Sequence, residues 1–285
     1  MENDVLRRQV APKPVLDISI PASRPAPPIA ISAGGADDAG HVVHHIDDLD
    51  LPRFLRVADG FGSGRYGYVV TPNVDHLIRC HEDPAYHSVY RSAAYVLLDS
   101  RFAAHLLGVV KGLRLPVCPG SDLFPALLTQ VIAPTDRLVL IGGSPRQAEV
   151  LAATYGLRDL RHHNPPMGFI KDPVAVRNCL EFIEAASPFR FCFLAVGAPQ
   201  QEQIAYQLLQ RDRARGLALC LGASLNFVTG VERRAPVWMR RIGSEWLYRL
   251  MQDPKRLGKR YLVRGPRIFG HLRRARIVLR PASTA

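Results

Sequence analysis

The stretch RLVLIGGSPRQAEVLAATYG, Arg137 to Gly156, holds a complete structural unit. Leu138 to Ile141 form an unbroken apolar run of the kind buried on both faces of a parallel sheet. Gly142 and Gly143 end the run. Ser144 offers a helix cap and Pro145 suits a first helical turn. Apolar residues then recur at three and four spacing until Gly156 closes the helix. A strand that turns straight into a capped helix predicts a parallel partner strand beyond it.

The same alternation extends in both directions. Strands are expected in YGYVVTPN, AYVLLDS, LRDLRHHNPP, FRFCFLAVGAP and LALCLGAS. Helices are expected in VDHLIRCHED, RFAAHLLGVVKG, SDLFPALLTQVIA, DPVAVRNCLEFIEAAS and QQEQIAYQLLQRDRARG, several with Ser or Asp near the start and Gly at the end. This pattern predicts an α/β fold over residues 45–230: a Rossmann-like, mostly parallel sheet with helices on both faces. Residues 1–44, with PKP, RPAPP and SAGGADDAG, show no period and are expected to form a disordered tail.

Beyond Gly230 the pattern changes. Residues 231–285 read as a basic amphipathic helical appendage, with Trp238, Met239, Ile242, Trp246, Leu247 and Leu250 at helical spacing among arginines. From Arg233 to Arg280 there are 15 Lys and Arg against only Glu245 and Asp253, so this segment carries +13 and the rest of the chain −1. Such a block suits an anionic partner, either nucleic acid or the inner leaflet of a membrane. No run approaches the length of a spanning helix, and MENDVLRRQVAPKP lacks the apolar stretch of a secretory signal, so a cytoplasmic location is expected. The five cysteines are scattered singly, with no C-x-x-C pair, and read as reduced thiols.

Each motif has a plain reading beside a functional one. GSGRYG, Gly62 to Gly67, matches G-x-G-x-x-G but precedes a strand, so it fails the context of a dinucleotide site and reads as a turn. Asp48-Leu49-Asp50 has the D-x-D form of a metal motif, yet lies before the core without obvious further oxygen ligands, and no metal is expected. The turns at Gly142-Gly143 and at Gly197 to Glu202 suit a phosphate at a helix start, or are simply tight turns. Thr71 and Asn73 stand at a strand end, where Asn73 also suits a helix cap. Asp99 poses the same question: a carboxylate at the end of a parallel strand is either a cap, shared with Ser100, or chemistry. His162 and His163 have no partner at metal spacing and read as surface residues.

Taken in order, TPNVDHL, Asp99, GSDLF, LIGG, HNPPMGF, VGAPQQE and RRAPVWMRRIGSEWLYRLMQDPKRLGKRYL resemble the glycosyltransferases of the WecG/TagA/CpsF type. The resemblance implies an inverting transfer, without metal or cofactor, from a UDP-sugar donor to a saccharide on a polyprenyl diphosphate at the cytoplasmic face of the membrane. It implies Asp99 as the base, with Thr71 and Asn73 orienting sugar or acceptor. It further implies substrate contacts from Gly120, Asp122, Gly142, Gly143, Pro166, Gly168, Phe169, Gly197, Pro199, Gln201, Glu202, Gly222, Asn226, Arg233, Arg234 and Arg241.

Three positions depart from the family's usual residues: Ser100 for Gly, Gln200 for Lys, and Asn226 for the Asp of F-D-F. Ser100 and Asn226 keep open a non-catalytic nucleotide-sugar binder. HNPPMGF is similar to the exopolysaccharide glucosyltransferase branch. Nucleic-acid binding is the alternative that the charge block allows, although no recognised RNA or DNA module is present and no nucleic acid is expected. Sugar, acceptor, linkage and oligomeric state stay open; a homo-oligomer is compatible with the amphipathic surfaces.

Overall fold

The computed structural model describes residues 41–61 and 64–281, so the tail expected over residues 1–44 lies almost wholly outside the described residues, as do Gly62 and Ser63. The chain opens with β1 (Val42–Asp47), α1 (Leu51–Asp59), β2 (Gly67–Val70), α2 (Val74–Glu82), α3 (Pro84–Arg91) and β3 (Tyr95–Val96). It continues through α4 (Arg101–Lys111), α5 (Gly120–Gln130), β4 (Arg137–Ile141), α6 (Pro145–Tyr155), β5 (Asp159–His163), α7 (Pro173–Ala185), β6 (Phe191–Leu194), α8 (Gln200–Arg211) and β7 (Leu217–Cys220). Four short helices follow, α9 (Ser224–Val228), α10 (Val237–Arg241), α11 (Glu245–Gln252) and α12 (Pro254–Gly258), and then α13 (Arg267–Arg274) and β8 (Ala275–Arg280).

The main sheet has the order β3-β2-β7-β6-β4-β5 and is parallel throughout. All six strands expected from the sequence are in it. Alternation along each strand distributes side chains to two cores. Leu138 and Leu140 of β4, Phe191 and Phe193 of β6, and Leu217 and Leu219 of β7 face one layer, with Phe54 of α1, Phe124 of α5 and Leu151 of α6. Val139 and Ile141, Cys192 and Leu194, and Ala218 and Cys220 face the other, with Cys179 of α7 and Ile204 of α8. The five cysteines are buried free thiols.

The C-terminal segment differs from a purely helical appendage. It ends in β8, which pairs in parallel with β1 from Val42↔Ala275 to Asp47↔Arg280. Neither strand is evident in the sequence, because HVVHHID pairs Val42 with Val43 and His44 with His45 and so lacks a period of two, and ARIVLR continues an arginine-rich helical pattern. Asp47 joins the pair to the main sheet. Its Oδ2 accepts from the Val96 amide of the edge strand β3 and from Arg280 Nη2, both at 2.6 Å. Ile268, Leu272 and Ala275 are buried with Ile46, Leu77, Ile78 and Leu98, so the end of the chain completes a third core.

Candidate active site

A cavity of about 460 Å³ opens over the carboxyl ends of β3, β2, β7 and β6. This is where an open parallel sheet presents its loops to a ligand. Its walls come from the turns after those strands and from the C-terminal segment, which contributes Arg240, Trp246, Arg249, Ile268 and Phe269.

Asp99 sits in this cavity and is not the cap of the next helix. Ser100 takes that task by accepting from the Ala103 amide at 3.1 Å. Asp99 is held instead by its backbone, whose N–H donates to the Pro72 carbonyl at 2.9 Å, and by one carboxyl bond accepted from the Gly120 amide at 2.7 Å. Burial raises its pKa to about 6; the Gly120 bond and Arg249 pull it down, while Glu245 and Asp122 add to the rise. A carboxylate so placed is ionised at neutral pH, yet more basic than a solvated aspartate.

Thr71 and Ser224 converge on the same spot. A Cβ built on Gly120 would stand 3.3 Å from Ser224 Oγ, 3.6 Å from Thr71 Oγ1 and 3.7 Å from Asp99 Oδ1. Gly120 is therefore a spacer that lets three oxygen-bearing side chains meet. Thr71 Oγ1 is anchored by donating to the Cys220 carbonyl at 3.1 Å, and Ser224 Oγ by donating to Leu221 O at 2.8 Å.

Asn73 is the cap of α2 and also faces the cavity. Its side chain accepts from the Asp75 amide to cap α2, its own N–H donates to His76 Nδ1 at 3.0 Å, and it lines the cavity. Gly197, Gln201 and Gly222 also line the cavity. Gln201 Oε1 accepts from the Gly222 amide at 2.9 Å, tying the turn after β6 to the turn after β7.

Other expected residues fall outside the lining. Asp122 is held by Arg234 at 2.8 Å, Arg101 at 3.2 Å and Arg240 at 3.5 Å. Burial works against its charge, but the Arg234 and Arg101 guanidiniums hold the carboxyl below its usual range. Asp122 and Arg234 thus brace the wall from behind. Arg233 and Arg241 are exposed outside it. Glu202 is 1 % exposed and lies behind Gln201. Pro199 precedes α8, while Pro166 and Gly168 are exposed in the loop before Phe169, which is buried in the core.

Gly142 and Gly143 also lie outside the lining, and their surroundings explain the glycines without a ligand. Both have positive φ, and an added Cβ would meet the Ala195 backbone at 2.9 Å and Leu225 Cδ2 at 2.4 Å respectively. His162, expected at the surface, is partly buried and donates from Nε2 to the carbonyls of Gly142 and Gly143 at 3.1 and 3.2 Å. Asn226 is enclosed in a polar network: its Oδ1 accepts from Gln147 Nε2 at 3.1 Å, and its Nδ2 donates to Glu232 at 2.9 Å.

The residues that sequence reading missed are His76, Arg101, Ser224, Phe227, Arg240, Trp246 and Arg249. Arg249 and Arg234 both lie over the Phe227 ring, at 5.8 and 5.9 Å. A run of arginines does not announce which members turn inward. The H-L spacing of VDHL, beside the cap, was the one available signal for His76.

Asp48-Leu49-Asp50 forms a helix start, with Asp50 capping α1 and Asp48 3.5 Å from Arg53. Among the described residues no three His, Cys, Asp or Glu side chains are grouped to hold a metal.

A partly buried carboxylate beside two hydroxyls, at the carboxyl edge of a parallel α/β sheet and beside inward-facing arginines, is an arrangement suited to group transfer. The comparison with known families agrees: the model of the glycosyl transferase WecG/TagA/CpsF family matches residues 42–282. The chain belongs to that family, whose members are glycosyltransferases of cell-surface polymer synthesis.

Proposed function

We propose that this protein transfers a sugar from a UDP-sugar to a saccharide on a polyprenyl diphosphate, in one inverting displacement with Asp99 as base. The observation that carries this reading is the Asp99 carboxyl itself, relieved of capping by Ser100 and drawn up to about 6 in a cavity shared with Thr71 and Ser224. Asp99 takes the proton of the acceptor hydroxyl as its oxygen bonds to the anomeric carbon, and the bond from that carbon to the UDP oxygen breaks with its electron pair going to the diphosphate. Arg240 and Arg249, which line the cavity, are the cations assigned to balance that leaving charge, and the backbone N–H groups of Ala198 and Gln200 stand at a helix start.

UDP release tests this reading, with a panel of UDP-sugars, with and without a polyprenyl-diphosphate-linked glycan, and in the presence of EDTA. Acceptor-dependent release that resists EDTA is expected, falling about 10²- to 10⁴-fold in Asp99→Asn with donor affinity retained. In the wild type the rate should rise as pH passes upward through about 6 and level off above it, because the base works only when ionised. Donor binding without turnover at any pH would instead favour a non-catalytic binder.

Docking on the inner face of the membrane is part of the same proposal. Trp238, Ile242, Met251, Leu262, Val263 and Phe269 are exposed apolar side chains of the arginine-rich segment, and no helix among the described residues is long and apolar enough to cross a membrane. Removing the whole segment would strip Ile268 and Leu272 from the third core, so the test uses Trp238→Ser with Ile242→Ser. Pelleting with anionic vesicles should drop severalfold in that pair while the melting temperature holds. Unchanged pelleting would refute the docking surface.

A further inference from the structure

Beneath the cavity floor lies a buried carboxyl that touches no solvent. Glu202 lies in the first turn of α8, and its Oε1 accepts from Gln201 Nε2 at 2.8 Å and stands 3.9 Å from His76 Nε2. His76 is 6 % exposed, and its Nδ1 accepts the Asn73 N–H, so the ring carries a proton on the nitrogen facing Glu202. Gln201 in turn accepts from Gly222. Hydrogen bonds thus tie Asn73 to His76, and Glu202 through Gln201 to Gly222, while a 3.9 Å electrostatic contact between His76 and Glu202 links the starts of α2 and α8 and the turn after β7. Four of these residues, Asn73, His76, Gln201 and Gly222, line the cavity above.

We propose that Glu202 is a positioning residue: its single carboxyl sets the orientation of Gln201 directly and of Asn73 through His76, and its protonation state alters how this floor receives an anionic nucleotide-sugar. The ligand class rests on the transferase reading; the positioning does not.

The carboxyl's neighbours are suited to this. Oε2 is buried without a hydrogen-bond partner among the described residues. From α2 it faces His76, Arg79 and Cys80, with Asp75 one turn away; from α3 it faces Tyr86 and Tyr90, from β2 Tyr68, and from β7 Cys220. Burial lifts its pKa to about 7, against the Gln201 hydrogen bond and the more distant Arg79 charge. Glu202 is thus neutral in mild acid and charged above neutrality. A negative charge gained under the floor works against a bound diphosphate and pulls harder on the Gln201 and His76 protons.

The full-length protein supports a two-part experiment with Glu202→Gln, which cannot ionise, and Glu202→Ala, which removes the acceptor. The first part needs no ligand. The side-chain amide of Gln201 and the ring of His76, followed by NMR between pH 5.5 and 8.5, should shift together with one midpoint near 7 in the wild type and stay still in Glu202→Gln. The second part measures affinity for UDP-glucose, whose diphosphate does not titrate in this range. Wild-type affinity should fall about fivefold more than that of Glu202→Gln from pH 6 to 8.5, and Glu202→Ala should bind about tenfold more weakly at every pH while remaining folded. Resonances that move independently, or parallel affinity profiles in wild type and Glu202→Gln, would overturn the proposal. A wild type that binds no UDP-glucose would sink the ligand reading alone and leave the NMR result to decide the positioning.

Discussion

The two sides of the carboxyl edge of the main sheet are built from the same parts and do different things. At the end of β4, Gly142 and Gly143 turn the chain into a capped helix, as a phosphate loop would. At the end of β6, Gly197 likewise turns the chain into a helix, α8, here without a side-chain cap. Space separates them. Over Gly142 and Gly143 the room is filled by Ala195, Val196 and Leu225, and the turn's carbonyls are taken by His162. Over Gly197 no heavy atom lies where a Cβ would go, and the turn forms part of the cavity wall. A glycine turn at a helix start is thus a permission for ligand approach; what occupies the space decides its use.

Paired substitutions should separate the two sides most strongly. Gly142→Ala would drive a methyl into the Ala195 backbone at 2.9 Å with φ at +92°, and this backbone has no rotamer to move. It should cost about 3 kcal/mol or more, lowering the melting temperature by roughly 10 °C, with UDP-glucose affinity of the folded protein within twofold of wild type. Gly197→Ala has φ at +80° but no clash, so strain of about 1–2 kcal/mol is expected. Its methyl, however, enters the cavity and should weaken UDP-glucose binding about tenfold. Calorimetric melting and titration of both variants decide the matter. The reverse pattern, binding lost in Gly142→Ala and kept in Gly197→Ala, would break the contrast.

The contrast also explains what the sequence made legible. The strands of the main sheet announce themselves because burial on two faces demands runs such as Leu138 to Ile141 and Phe191 to Leu194, and the helices announce themselves by period and cap. The third core was hidden. β1 and β8 lie 233 residues apart at Asp47 and Arg280, and their pairing depends on a long-range contact that no local pattern carries. The site was legible where backbone geometry sets it, at Thr71, Asn73, Asp99, Gly197, Gln201 and Gly222. It was not legible where a side chain chooses between solvent and cavity. Arg240 turns inward and Arg241 outward, neighbours of the same type, because successive helix residues point about 100° apart around the axis.

A last prediction sharpens the same contrast at Asn226. This position differs from the aspartate usual in the family, and its substitution looks at first like a loss of function. The structure gives it a different partner set. Asn226 receives a proton from Gln147, which also caps α6 behind Gly143, and gives one to Glu232. An amide alone among the isosteric choices can do both; Asn226→Asp would place a carboxylate oxygen against Glu232 where the amide nitrogen now stands, 2.9 Å away. Two carboxylates at that distance resist joint ionisation, so one would titrate above its ordinary range. A raised carboxyl pKa means stability that is intact in acid and lost as pH rises through that value. Asn226→Asp should therefore melt close to wild type at pH 4.5 and about 1–2 kcal/mol below it at pH 7.5, with turnover per folded molecule nearly unchanged. If turnover rose instead, position 226 would belong with the cavity side, and the boundary between the two halves of the edge would run on the other side of α9.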